Sequence, residues 1–146
     1  MTHMRSSRIL QAVAAAGLVC GGIAASSGAD IAVKLTGDQE VPAVATEATA
    51  TGKIVVKPDK TVSGSVTTKG VEGTMAHIHL AAAGKNGPPI IALVKTSENT
   101  WSVPEGATLT DEQFQSFKAG DLYINVHSDA HKGGEIRSQL DRKSVV

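Results

Sequence analysis

Cysteine is almost absent from this sequence: Cys20 is the single one among 146 residues. It lies within the first 29 residues, which we expect to be removed, so the remaining domain is predicted to contain no disulfide. A domain of about 117 residues must then fold on its apolar core alone, which is feasible at that size. The same scarcity excludes thiolate chemistry and cysteine-based zinc sites.

Long hydrophobic runs are also lacking after residues 1–29, which have the composition of a secretory signal peptide. Arg5 and Arg8 supply a positive start, and Ser27-Gly28-Ala29 places small residues before a cleavage point. The apolar stretch between them is short for a membrane span of about 20 residues and contains glycines. We therefore predict no permanent membrane span, with a retained anchor or a lipoprotein as weaker alternatives. The expected location is periplasmic or secreted, with one domain over residues 30–146.

Basic and aromatic residues are scarce as well. The predicted signal peptide carries two arginines and no acid, which leaves 12 basic against 14 acidic residues in the rest of the chain. The aromatic residues are Trp101, Phe114, Phe117 and Tyr123. Nucleic-acid binding is therefore not expected, because the sequence offers neither a basic footprint nor a stacking platform.

The sequence does contain many β-branched residues in short alternating runs, which favour strands. Strands are predicted at 31–35, 48–56, 62–68, 76–80, 90–94, 101–104, 122–128 and 135–140. One short helix is predicted over 109–120, because Thr110 and Gln113 have the spacing of a capping box and Gly120 can end the helix. This pattern predicts an all-β, antiparallel Greek-key β-sandwich or partly open barrel with one short helix.

Four histidines remain after the predicted signal peptide. Alternate side chains of a strand share a face, so His77 and His79 point the same way. His127 ends a later strand, and His131 lies in the loop that follows it. Because imidazole is a good ligand for Cu(II) and Zn(II), the four are candidate metal ligands, with a copper ion favoured over a zinc ion.

Polar residues on the same strand faces are candidates to support these ligands. Glu135 could orient an imidazole by accepting a hydrogen bond, and Asn125 and Arg137 lie on the polar faces of their strands. The competing interpretation is that the imidazoles form hydrogen bonds with loop backbone and with one another. Glu135 and Arg137 would then form a cross-strand ion pair or anchor a loop, and Asn125 would satisfy hydrogen-bonding groups of the strand ladder.

Several segments together resemble the CHRD domain, a family named for chordin and widespread in bacterial exported proteins. They are Glu40-Val41-Pro42, Ala76-His77-Ile78-His79, Gly84-x-x-Gly87-Pro88, Tyr123-x-Asn125-Val126-His127 and Gly134-Glu135-Ile136-Arg137. The resemblance runs from about residue 32 to residue 140. It implies an immunoglobulin-like or related sandwich, and the layout of histidines is also similar to that of copper–zinc superoxide dismutases.

Three functions follow as hypotheses. The first is an exported metal-binding module that uses the histidine cluster. The second is a non-catalytic structural or protein-interaction domain without metal, with a protein partner. The third is a dismutase-like copper redox enzyme, which the weak net charge does not favour because anion steering needs a positive field. The sequence names no catalytic residue, and we do not expect an enzyme.

Overall fold

A computed structural model of the chain describes residues 28–144. Nearly all of the predicted signal peptide lies outside the described residues, and that assignment stays a prediction. The strands are β1 (Ala29–Leu35), β2 (Thr49–Val56), β3 (Val62–Lys69), β4 (Met75–Leu80), β5 (Pro89–Ala92), β6 (Val94–Ser97), β7 (Thr100–Ser102), β8 (Leu122–His127) and β9 (Ile136–Gln139). The helix is α1 (Asp111–Ala119), and short 3-10 turns cover Gly37–Gln39 and Arg142–Ser144.

The strands form two antiparallel sheets. One has the order β1-β2-β3-β7-β6, and the other has the order β5-β4-β8-β9. The chain passes from the first sheet to the second after β3, returns between β5 and β6, and crosses again through α1. The prediction of an all-β antiparallel sandwich with one short helix is confirmed.

A single apolar cluster joins the two sheets. Because side chains alternate along a strand, each sheet turns one apolar face inward. The cluster includes Ile31, Val33, Leu35, Ile54, Val66, Ile78, Trp101, Phe117, Leu122, Ile124, Val126, Ile136 and Leu140. The members from β8 and β9 are fully buried, so the sheet that carries the histidines is fixed from behind by the core.

The helix has the predicted caps, and it begins two residues later and ends one residue earlier than predicted. Thr110 accepts a hydrogen bond from the Gln113 amide, the Gln113 side chain accepts one from the Thr110 amide, and Gly120 ends the helix in the left-handed conformation. Phe114 and Phe117 are its buried residues and attach it to the core. Within residues 28–144, no helix has the length and hydropathy needed to cross a membrane.

The prediction of one buried strand over residues 90–94 is wrong. The segment is divided at Leu93, with β5 before it in one sheet and β6 after it in the other. Leu93 is buried and donates its backbone amide to Ala76, while Val94 is 52% exposed. An unbroken apolar run cannot reveal this change of sheet, because the same residues suit either side of the core.

Candidate metal centre

The outer face of the second sheet carries polar side chains in a regular grid. Cross-strand pairing places His77 opposite Asn125 and His79 opposite Tyr123. On the other side of β8, Asn125 is paired with Arg137. Directly opposed side chains in an antiparallel pair lie within contact distance. Asn125 therefore lies at the centre of the grid, with His127 and Tyr123 two residues away along its own strand.

Loops cover this face and convert it into a buried polar layer. Asn125 and Arg137 are each only 1% exposed, and His79 and His127 are also buried. The loop between β4 and β5 contributes the carbonyls of Ala82 and Lys85, which accept hydrogen bonds from the Arg137 guanidinium. Buried polar groups in folded proteins are nearly always hydrogen-bonded. A buried polar atom without a hydrogen-bond partner is therefore a candidate for a functional role.

Three imidazoles meet in this layer. One nitrogen from each of His77, His79 and His127 lies within 4.8 Å of the other two. The ring centroids are 5.0 to 5.9 Å apart. Two nitrogens that bind one ion at about 2.0 Å lie about 3.3 Å apart in tetrahedral geometry. A shift of at most about 1.5 Å would therefore bring the three nitrogens into a common coordination sphere.

Backbone carbonyls determine which nitrogen of two of these rings carries the proton. Nδ1 of His79 lies 2.9 Å from the Gly87 carbonyl oxygen, and Nδ1 of His127 lies 2.8 Å from that of Lys132. A carbonyl only accepts, so in the neutral rings both Nδ1 atoms are protonated and both Nε2 atoms present lone pairs. Metal-bound histidines typically have this arrangement: one ring nitrogen binds the metal, and the other donates a hydrogen bond that fixes the orientation of the ring.

The third imidazole contacts one of these lone pairs. Nδ1 of His77 lies 3.1 Å from Nε2 of His127, and His77 donates because His127 Nε2 is unprotonated. Nε2 of His79 has a different environment: it is buried and finds no hydrogen-bond partner among the described residues. The cluster thus contains an unsatisfied lone pair that a cation could bind.

Burial favours the neutral form of His77 and His79. The pKa of His77 is lowered by burial and then by the nearby His127 and His79 rings. The pKa of His79 is also lowered by burial, although its hydrogen bond to Gly87 opposes the shift. Because metal ions compete with protons for the same lone pairs, lowered pKa values favour metal binding near neutral pH.

A stack of planar groups holds His79 from the side away from the cluster. The Tyr123 ring lies parallel to the His79 ring with centroids 4.7 Å apart, and the Arg137 guanidinium lies 3.5 Å from the Tyr123 centroid. Arg137 also donates to Lys85, Asn86, Ala82 and Gln139. Arg137 therefore stacks on Tyr123 and anchors the loop between β4 and β5, as the competing interpretation expected of a loop anchor.

Glu40 is a buried residue of this layer that the sequence did not indicate as part of a site. It is 5% exposed, and its Oε1 accepts a 3.4 Å hydrogen bond from Asn125 Nδ2. Burial raises its pKa, while Asn125 and Arg137 oppose the shift. In the sequence, the one indication of Glu40 was that the segment Glu40-Val41-Pro42 contributes to the family resemblance.

Two predicted residues lie elsewhere. The group of converging nitrogens found among residues 28–144 does not include His131, which lines a shallow surface depression beside Glu40 and Gly134. Both carboxylate oxygens of Glu135 accept hydrogen bonds from hydroxyl groups, one from Thr46 and one from Ser128. Glu135 therefore anchors loops, and the imidazoles are oriented instead by the carbonyls of Gly87 and Lys132.

Comparison with known proteins gives one match. A family model described as the CHRD domain matches residues 31–140, which is well over half of the chain. No curated protein and no solved structure matches the chain. The matched range contains β4, β8 and β9, and with them the three converging histidines.

Proposed function

The chain belongs to the CHRD domain family, and we propose that it is an exported metal-binding module whose ligands are His77, His79 and His127, because nitrogens of these three side chains converge. The predicted signal peptide supports export to the periplasm or the medium. Three imidazoles suit divalent transition metals, and they leave a fourth position of a tetrahedral ion for a further group.

The observation that carries this proposal is the unpartnered nitrogen of His79. An unsatisfied acceptor in a buried site costs about 1–3 kcal/mol, and folded proteins avoid that cost where a neighbour could supply a donor. Here the neighbouring rings supply further nitrogens within 4.8 Å. A metal ion would satisfy the His79 nitrogen and its two neighbours at the same time.

Copper is the favoured metal, and zinc is the alternative. Cu(II) stands above Zn(II) in the general order of affinity for nitrogen and oxygen ligands. Met75, which is paired with His127 across β4 and β8, is half exposed at the margin of the cluster. Its thioether is a soft donor that suits Cu(I), although a single methionine adds only modest selectivity.

Metal titration in competition with a chelator of known affinity tests the proposal. We expect one Cu(II) or one Zn(II) per chain, and we expect His79→Ala to weaken binding at least 100-fold. The matched control is His131→Ala, which removes an imidazole outside the cluster and should leave the affinity unchanged. Equal affinities of the wild type and His79→Ala would refute the proposal.

A structural or protein-interaction role is the second candidate, and one observation favours it. His77 and His127 already satisfy each other by a direct hydrogen bond. In this case His77→Ala would lower stability to the same extent with and without added metal. A wild-type melting temperature that rises on addition of copper, while that of His77→Ala does not, would exclude this candidate.

A further inference from the structure

The Asn125 side chain presents a second unsatisfied atom to the histidine cluster. Asn125 is 1% exposed, and its Oδ1 finds no hydrogen-bond partner among residues 28–144. Asn125 lies directly opposite His77 across β4 and β8 and shares a strand face with His127, and its proximity to the His79 ring opposes the lowering of the pKa of that ring. Oδ1 and His79 Nε2 are thus two buried acceptors, close to each other, that lack a donor.

The orientation of this amide follows from its other contact. Asn125 Nδ2 lies 3.4 Å from Glu40 Oε1, and an ionised carboxylate only accepts hydrogen bonds. With Glu40 ionised, the amide nitrogen therefore faces Glu40, and the oxygen faces the imidazoles. Reversing the amide would place two oxygens against each other.

Gly134 makes room for this contact. A Cβ atom at that position would collide with both Glu40 Oε1 and Asn125 Nδ2, and the backbone there has φ +124°, which L side chains rarely adopt. The carboxylate, the amide and the glycine come from three separate segments of the chain. Such an arrangement, in which Glu40 and Asn125 are 85 residues apart in sequence, fixes one direction of the Asn125 oxygen.

We infer that the fourth position of the metal site is a water molecule that donates a hydrogen bond to Asn125 Oδ1, with Glu40 holding the amide in place. This inference rests on the proposed function. The cluster offers acceptor atoms from His79, His127 and Asn125. A metal ion with a bound water supplies both a cation for the imidazole nitrogens and a hydrogen-bond donor for the amide oxygen. The site is thereby an open one, whose water small anions can replace.

Measurement of exchangeable protons on the Cu(II)-loaded protein tests the inference directly. Pulsed ENDOR spectra in H₂O and D₂O are expected to show strongly coupled exchangeable protons from one bound water. Cu(II) binding without such protons would overturn this inference alone. Absence of Cu(II) binding by the wild type would overturn the proposed function and this inference with it.

Azide binding tests the role of Asn125, because azide replaces the water but brings no proton to donate. Asn125→Leu removes the acceptor while keeping a branched side chain with the same number of heavy atoms, so the water is held less well and azide should bind about fivefold more tightly. Glu40→Gln, which keeps the Asn125 oxygen but weakens the contact that orients it, should shift the azide affinity in the same direction by a smaller factor. Asn99→Leu, on an exposed turn, is the matched control. Unchanged azide affinity in both Asn125→Leu and Glu40→Gln would overturn the assignment.

Discussion

His77 and His127 are 50 residues apart in sequence, yet their Nδ1 and Nε2 atoms lie 3.1 Å apart. At this separation the two nitrogens can share one proton or bind one metal ion. Metal binding through these atoms must therefore break the hydrogen bond and move the His77 proton to its other nitrogen. The loss is about 1 kcal/mol, which is small compared with the gain from binding a metal.

Metal should raise the thermal stability of the wild type. A ligand present at 100 times its dissociation constant adds about 2.7 kcal/mol to the free energy of unfolding. For a domain of this size we expect the melting temperature to rise by roughly 8 °C or more. Differential scanning calorimetry with Cu(II) or Zn(II) measures the shift. We expect none in a His77→Ala/His127→Ala protein, and an unaltered shift in His131→Ala.

Stability of the metal-free protein should fall in mild acid. The folded state lowers the pKa of His77 and His79, so below the unfolded value of 6.5 the unfolded chain binds more protons. The free energy of unfolding therefore decreases as the pH falls from 6.5 through the lowered folded values. Urea unfolding in excess chelator, between about pH 7.5 and about pH 5, measures this dependence. A constant free energy of unfolding across this range would contradict the prediction.

Glu40 should act in the opposite direction. Its pKa is raised in the folded state, so above 4.5 the folded chain binds the additional proton and gains stability as the pH falls. Glu40→Gln removes this compensation. The same urea measurements should show a steeper loss of stability in acid for Glu40→Gln than for the wild type.

Gly87→Ala should damage the cluster through the backbone. A Cβ at residue 87 would collide with the Leu80 carbonyl, displacing the loop whose carbonyl holds His79 Nδ1. Loss of a group that orients a metal-bound histidine typically weakens metal binding by about 10- to 100-fold. Gly133→Ala is the control, because no atom lies within 4 Å of its added Cβ. Chelator competition should give a clearly lower metal affinity for Gly87→Ala than for Gly133→Ala.

Arg137→Lys should destabilise the fold despite preserving the charge. The planar guanidinium stacks on Tyr123 and donates to several carbonyls at once, which a compact ammonium group cannot do. We expect a loss of about 3 kcal/mol in urea unfolding, since buried charged groups would lose their partners. Hydrogen exchange should accelerate at residues 82–87. Arg142→Lys, an exposed substitution of the same kind, should have no such effect.

The structure also explains which features could be predicted from the sequence. Strand alternation placed His77 and His79 on one face, and the same alternation placed His127 with Tyr123 and Asn125. Side-chain periodicity carries that information because the geometry of a strand is regular. The helix caps were equally predictable, since Thr110 and Gln113 bond within four residues of each other.

Other features depend on contacts that no local pattern records. The carbonyls of Gly87 and Lys132 orient the imidazoles, and every residue type has a carbonyl. Glu40 reaches Asn125 across 85 residues, and its burial depends on loops that pack only in the finished fold. His131 was grouped with the other histidines by proximity in sequence, whereas the tight loop after β8 directs it to the surface.

The change of sheet at Leu93 has a consequence for how the molecule comes apart. The single buried residue Leu93 connects β5 to β6, so the two sheets cannot separate here unless Leu93 leaves the core. Separation of one sheet therefore disturbs the packing of the other. We expect the polar layer that holds the histidines to unfold together with the rest of the domain.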